Sequence, residues 1–261
     1  MEFLELTTLG WAAILLSALL VGLTKAGFGS GAGILAVPLM TLGLGHASDM
    51  LAVMLPVLIC GDIFSLIHYP KQKDWKNLAM LIPASAAGIA IGWGVLWIFG
   101  ELSGTGELLL RKLVGGVCVF FVGVQVWRYF REQRLTERPE PYKPKIWHGA
   151  GLGTTAGLTS TLAHAAGPLI ALFLLPQKLD KKVFVGTSVT YFFFGNLFKV
   201  IPYGAQGMFP TPRLYTSLTL MPAVIAGTLI GVYLNRKISL RAFVLVIYTA
   251  AFLMGLKLVL S

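Results

Sequence analysis

Charge is what this chain has least of. Only 12% of its 261 residues are Asp, Glu, Lys or Arg, while 56% are hydrophobic; a soluble domain carries roughly twice that charge. Cysteine is nearly absent too. Cys60 and Cys118 each lie inside an apolar run, which leaves no disulfide framework, and both read as packing residues. No CxxC, no HExxH and no His/Cys cluster occurs, so a metal site lacks ligands, and nothing calls for a cofactor. The glycine-rich Walker A loop is missing, which excludes ATP as an energy source. A signal peptide is not expected: Glu2 and Glu5 replace the basic flank, and no small-residue cleavage site leads into a soluble mature chain.

What is present is apolar sequence in long runs. Ten segments stand out, at about 9–24, 28–44, 50–68, 78–99, 108–130, 146–163, 166–176, 183–202, 214–234 and 240–260. They predict an all-α polytopic membrane protein whose first partner is the lipid bilayer. The one polar interlude, "RYFREQRLTERPEPYKPK", carries Pro139, Pro141 and Pro144 among charges and divides the chain almost in half. The expected organisation is a first membrane repeat over 1–130, a cytoplasmic linker over 131–145 and a second membrane repeat over 146–261. The formal net charge of +10 does not point to nucleic acid, because the basic residues sit in short loops rather than on a water-exposed face.

The two halves resemble each other. "LIPASAAGIAIG" (81–92) and "LMPAVIAGTLIG" (220–231) share seven identities in twelve positions at an offset of 139. "GLT" recurs at 22 and 157, Gly61-Asp62 answers Gly195-Asn196, and Leu110-Arg111 answers Leu240-Arg241. Matches in one order at nearly one offset indicate an internal duplication.

The basic loops set the orientation. Lys71, Lys73 and Lys76, the six basic residues of the polar interlude, Lys178, Lys181 and Lys182, and Arg236, Lys237 and Arg241 fall on one side if both termini lie outside the cytoplasm. Five segments is an odd number, so the second half enters from the opposite face. This gives two inverted repeats of about five segments each, an arrangement characteristic of secondary transporters. "GPLIALFLLPQ" makes only about 16 Å of helix, against a hydrocarbon core of about 30 Å. A re-entrant helical hairpin over segments six and seven, turning at "TSTLAHAAG", is therefore expected. By the internal symmetry segments one and two form its counterpart, with "GLTKAGFGSGAG" at the tip.

Irregular backbone at membrane depth survives only where protein or a wet cavity satisfies its polar groups. A half-helix starting there presents unpaired N–H groups and the positive end of its dipole, to which an anion is the natural partner. On the first tip the candidates are Lys25, Gly29, Ser30 and Gly31. On the second they are Thr159, Ser160, Thr161 and His164, with Pro168 suited to the first turn of the returning helix. Asn196 and Lys199 can face the same space from segment eight. Each candidate has a plainer reading. The glycines serve close helix packing, Lys25 anchors at the interface, and the hydroxyls bond their own helix. Asp62 is a buried carboxylate that pairs with Lys25 or Lys199 or else couples transport to protons. His164, able to titrate near neutral pH, is the second coupling candidate or a packing histidine.

The second-half stretch "GLTSTLAHAAGPLIALFLLPQKLDKKVFVGTSVTYFFFGNLFKVIPY", with the glycine stretch ending in Val37-Pro38, resembles the sulfite exporter TauE/SafE family of bacterial membrane proteins. The resemblance covers both halves. It implies a multi-pass protein of the bacterial inner membrane that moves a small anion, such as sulfite, sulfoacetate or a related sulfonate, as an exporter. First-half motifs of that family are often richer in consecutive glycines, whereas Ser30 and Ala32 interrupt them here. The alternatives are an anion channel and, from another class, an intramembrane enzyme using Ser160 and His164 as nucleophile and base. A homodimer is an arrangement open to such a chain.

Overall fold

The computed structural model describes residues 4, 6–28, 32–101, 104–134, 140–235 and 240–260. All regular structure in them is helical: α1 (Thr8–Phe28), a 3-10 turn (Ala32–Leu35), α2 (Ala36–Leu44), α3 (Ala47–His68), α4 (Trp75–Glu101) and α5 (Gly104–Arg134). After the linker come α6 (Ile146–Ala163), α7 (Gly167–Leu174) with a 3-10 turn (Leu175–Gln177), α8 (Lys181–Ala205), α9 (Thr211–Asn235) and α10 (Leu240–Leu260). The chain is an all-α polytopic membrane protein. Six of the helices, α1, α3, α4, α5, α8 and α9, are long and apolar enough to cross a bilayer.

Burial sorts five of these six into two shells, with α1, at 50%, between them. The apolar windows of α3 and α8 are 61% and 56% buried, whereas those of α4, α5 and α9 are 33–39% buried. The inner pair therefore packs on protein on most sides and the outer three face lipid. Exposed tryptophans lie near helix ends, Trp75 and Trp97 on α4 and Trp127 and Trp147 on either side of the linker, as interfacial aromatics do.

Two helices are too short to span. α2 and α7 have nine and eight residues, roughly 12–14 Å of helix. Each runs back along its long predecessor. Gly10 near the start of α1 lies against Gly43 near the end of α2, and Gly149 near the start of α6 lies against Phe173 near the end of α7. The arms are unequal, because α1 runs over 21 residues through Lys25 to Phe28. Its last turn thus reaches the level of Leu174, Leu175, Lys178 and Lys181, with which Gly27 lines a cavity of about 250 Å³. α5 likewise continues through Arg134, so the helix occupies the first residues of the expected linker.

Segments that match in sequence between the halves make the same kind of contact. A Cβ on Gly22 of α1 would lie 2.1 Å from the carbonyl oxygen of Val224 in α9, and one on Gly157 of α6 would lie 2.2 Å from that of Ser85 in α4. Gly22 and Gly157 begin the two "GLT" stretches, and Ser85 and Val224 are separated by the offset of 139. Each long hairpin arm therefore presses its glycine onto a helix of the other half, where a side chain would force backbones apart.

Candidate functional site

α1 brings Lys25 to the site on its last turn, as a helical residue rather than part of a loop. Its Nζ lies 2.5 Å from Asp62 Oδ1 and 3.0 Å from the carbonyl oxygen of Leu58, both on α3. The other carboxylate oxygen of Asp62 accepts a bond of 2.6 Å from the Asn196 amide on α8. Asp62 is fully buried, and Lys25 and Asn196 are 9% and 3% exposed. The Phe192 ring, one turn before Asn196, lies 5.7 Å from Lys25 Nζ, within cation–π range. Of the plainer readings, the geometry has the Lys25–Asp62 pair; Lys25 does not reach toward the interface.

The second hairpin differs. α6 continues to Ala163, so Thr159, Ser160 and Thr161 are helical rather than part of the turn. The hydroxyl of Thr159 donates to the carbonyl of Thr155, and that of Thr161 to Gly157. Thr161 also packs against Gly92 of α4. Ser160 faces inward. Lys199, fully buried on α8, donates to the Ser160 carbonyl at 3.2 Å, to Ser160 Oγ at 3.0 Å and to His164 Nδ1 at 2.8 Å. Three acceptors use the three donors of an ammonium. Among the described residues no carboxylate lies within ion-pair distance of Lys199.

His164 ends α6 with φ +48° and ψ +28°, in the left-handed region, at a cost of about 1–2 kcal/mol for a non-glycine residue. This conformation caps the helix, because the His164 N–H bonds the Ser160 carbonyl, and it turns the ring inward. Nδ1 accepts from Lys199, so the ring proton is on Nε2, which donates to the carbonyl of Leu51 on α3 at 3.0 Å. Both nitrogens are engaged by the neutral ring. A proton added to His164 would set two donors against each other at Nδ1.

Between these two clusters lies a cavity of about 70 Å³, whose lining includes the polar residues Thr24, Lys25, Ser160, His164 and Asn196. Ile34 and Val37 border it from the start of the first short arm, and Gly167 and Pro168 from the start of the second. Both short arms thus begin at the cavity and direct their amino ends to it. The volume exceeds what one water needs, which is about 10–15 Å³ on this measure. Lys199 stands one layer behind the wall, holding Ser160 and His164. Gly29, Ser30 and Gly31 lie outside the described residues. Sequence reasoning did not single out Thr24 or Phe192, nor the carbonyls of Leu51 and Leu58; the spacing of Phe192, Asn196 and Lys199 along one face of α8 was the available signal. Among the described residues no three His, Cys, Asp or Glu side chains converge as metal ligands.

No curated protein and no solved structure matches the chain. A model of the family described as sulfite exporter TauE/SafE matches residues 14–258, a span that takes in the first hairpin from Ile14 on, the whole second hairpin, the residues of both buried clusters and the cavity between them. The chain belongs to the sulfite exporter TauE/SafE family.

Proposed function

We propose that this exporter-family membrane protein is a secondary carrier for a small sulfur-containing or organic anion: sulfite, sulfoacetate or a related sulfonate. The direction is outward across the bacterial inner membrane, and the ion is held in the cavity between the hairpins. The observation that carries this reading is the charge around that cavity. Lys25 and Asp62 offset each other, no carboxylate among the described residues pairs with Lys199, and the formal sum with both lysines protonated is +1. An uncompensated charge in a low-dielectric interior is costly, and a bound anion would remove that cost.

The exchange of contacts between the halves, α1 on α9 and α6 on α4, supports two related halves, and the basic loops favour an inverted arrangement with both termini on the periplasmic side. In carriers of this kind the halves move against each other around a fixed site. Binding of sulfite, thiosulfate, sulfoacetate, taurine, sulfate and acetate to the purified protein tests the reading. At least one of the sulfur anions should bind more tightly than acetate, and reconstituted protein should catalyse counterflow of that anion. Flux without counterflow would instead indicate a channel.

Ser160 beside Lys199 also resembles a Ser–Lys nucleophile pair, which would make an enzyme of the same site. Lys199, however, spends its protons on Ser160 and His164, and the transporter family favours the carrier. Covalent labelling of Ser160 by a fluorophosphonate would reverse that preference.

A further inference from the structure

We propose that Asp62 sets the valence of the anion that the site accepts, so that a monoanion binds alone and a dianion enters together with one proton. This rests on the anion-site reading above and adds the rule by which the site balances charge. With Asp62 ionised and both ammonium groups protonated, Lys25, Asp62 and Lys199 sum to +1, and a monoanion brings the bound site to zero. A dianion would leave it at −1, buried. A proton from solvent on Asp62 raises the empty site to +2, and the dianion again brings the sum to zero. Nothing is oxidised or reduced, and the only covalent change is one O–H bond formed on the carboxylate.

The geometry suits Asp62 for this and leaves the neighbouring groups unsuited. Asn196 bonds Asp62 and also lines the cavity, as does Lys25, so both partners of the carboxylate border the bound ion. When Asp62 is neutral, Lys25 keeps the Leu58 carbonyl and turns its unbalanced charge to the cavity. The groups facing the pair are few. α1 supplies Lys25, α3 itself Cys60, and α8 Lys199, while α9 brings Val224 to Gly61 beside them. His164, from the α6–α7 turn, faces Lys199 and already has both nitrogens occupied. The position that matches Asp62 in the other half is Asn196, a neutral amide, so among the described residues Asp62 is the one carboxylate at the site to take the proton.

Calorimetry on the full-length purified protein tests this with two probes of different valence, isethionate (a monoanion) and sulfoacetate (a dianion well above carboxyl pKa values of about 4). Titrations near neutral pH in two buffers of different ionisation heat count protons. The wild type should take up one proton per sulfoacetate bound and none per isethionate. Sulfoacetate affinity should fall by up to about tenfold per pH unit as pH rises, and isethionate affinity should stay level. Asp62→Asn should bind sulfoacetate with no proton uptake and no pH slope, whereas His164→Gln should keep both. Should Asp62→Asn not fold, the wild-type and His164→Gln titrations still decide. Binding of both ions by the wild type without proton uptake overturns this inference and leaves the anion site standing. Uptake that persists in Asp62→Asn, or vanishes in His164→Gln, overturns it as well. Failure of both ions to bind breaks the anion-site reading, and this inference with it.

Discussion

The two hairpins reach the same cavity with opposite chemistry. The first contributes a cation whose charge is cancelled on the spot, Lys25 against Asp62. The second contributes only neutral groups, Ser160 and His164, and holds a cation that belongs to α8, Lys199. Matching helix packing therefore encloses an unmatched set of charges. The difference shows how a symmetric scaffold can carry an asymmetric site: glycines that let helices touch recur at matching positions, while Asp62 and Asn196 diverge at theirs. An ion held between the hairpins, as proposed above, would meet a compensated charge on one side and an uncompensated one on the other.

The largest expected effect breaks the first side. Lys25→Met leaves Asp62 buried without its cation, which should cost about 3–5 kcal/mol of stability and show as a large fall in thermal midpoint. The double variant Lys25→Met/Asp62→Asn should recover most of that loss. If the single variant is as stable as the wild type, the pair is not the structural element described here.

Next in size is the second side. Lys199→Met removes a charge that no carboxylate offsets, so the loss should appear in anion affinity. Charge-assisted hydrogen bonds worth about 1.5–3 kcal/mol correspond to roughly 10–150-fold in dissociation constant. Equal loss of affinity in Lys199→Met and in the Lys25→Met/Asp62→Asn double variant would erase the asymmetry between the hairpins.

The packing symmetry has its own test. Gly22→Ala and Gly157→Ala each drive a Cβ into a backbone carbonyl, and each should destabilise by about 1–3 kcal/mol. Similar shifts sharpen the equivalence of the two long arms; a cost at only one of them breaks it. The smallest effect concerns orientation and leaves stability unchanged. Single cysteines at Glu101 and Arg134 should react with an impermeant reagent from opposite sides of the membrane. Cys60 and Cys118 are buried, so background labelling should be low. Labelling of both positions from one side would end the inverted arrangement.

Much of the fold was legible because a bilayer imposes long apolar runs and limits the chain to helices. The shortness of segment seven already ruled out a span, and α7 is a short arm. Hairpin tips were less legible. "GLTKAGFGSGAG" and "TSTLAHAAG" read as irregular because they are rich in glycine and hydroxyl residues. Yet α1 runs on through Lys25 and α6 through Thr161, since packing on α9 and α4 outweighs weak helix propensity. That extension turned Thr159 and Thr161 onto their own helix carbonyls and left Ser160 as the inward hydroxyl of the three.

The sequence by itself determined the membrane class, the matching segments of the two halves and the residue types that meet at the site, because hydrophobic length and repeated order are properties of a single strand of text. Only the tertiary structure decided the pairings. Whether Asp62 answers Lys25 or Lys199 depends on which helix faces bring two side chains within about 3 Å of each other. Those faces are set by the close contacts of Gly22 on α9 and Gly157 on α4, between residues about two hundred and about seventy positions apart in the chain.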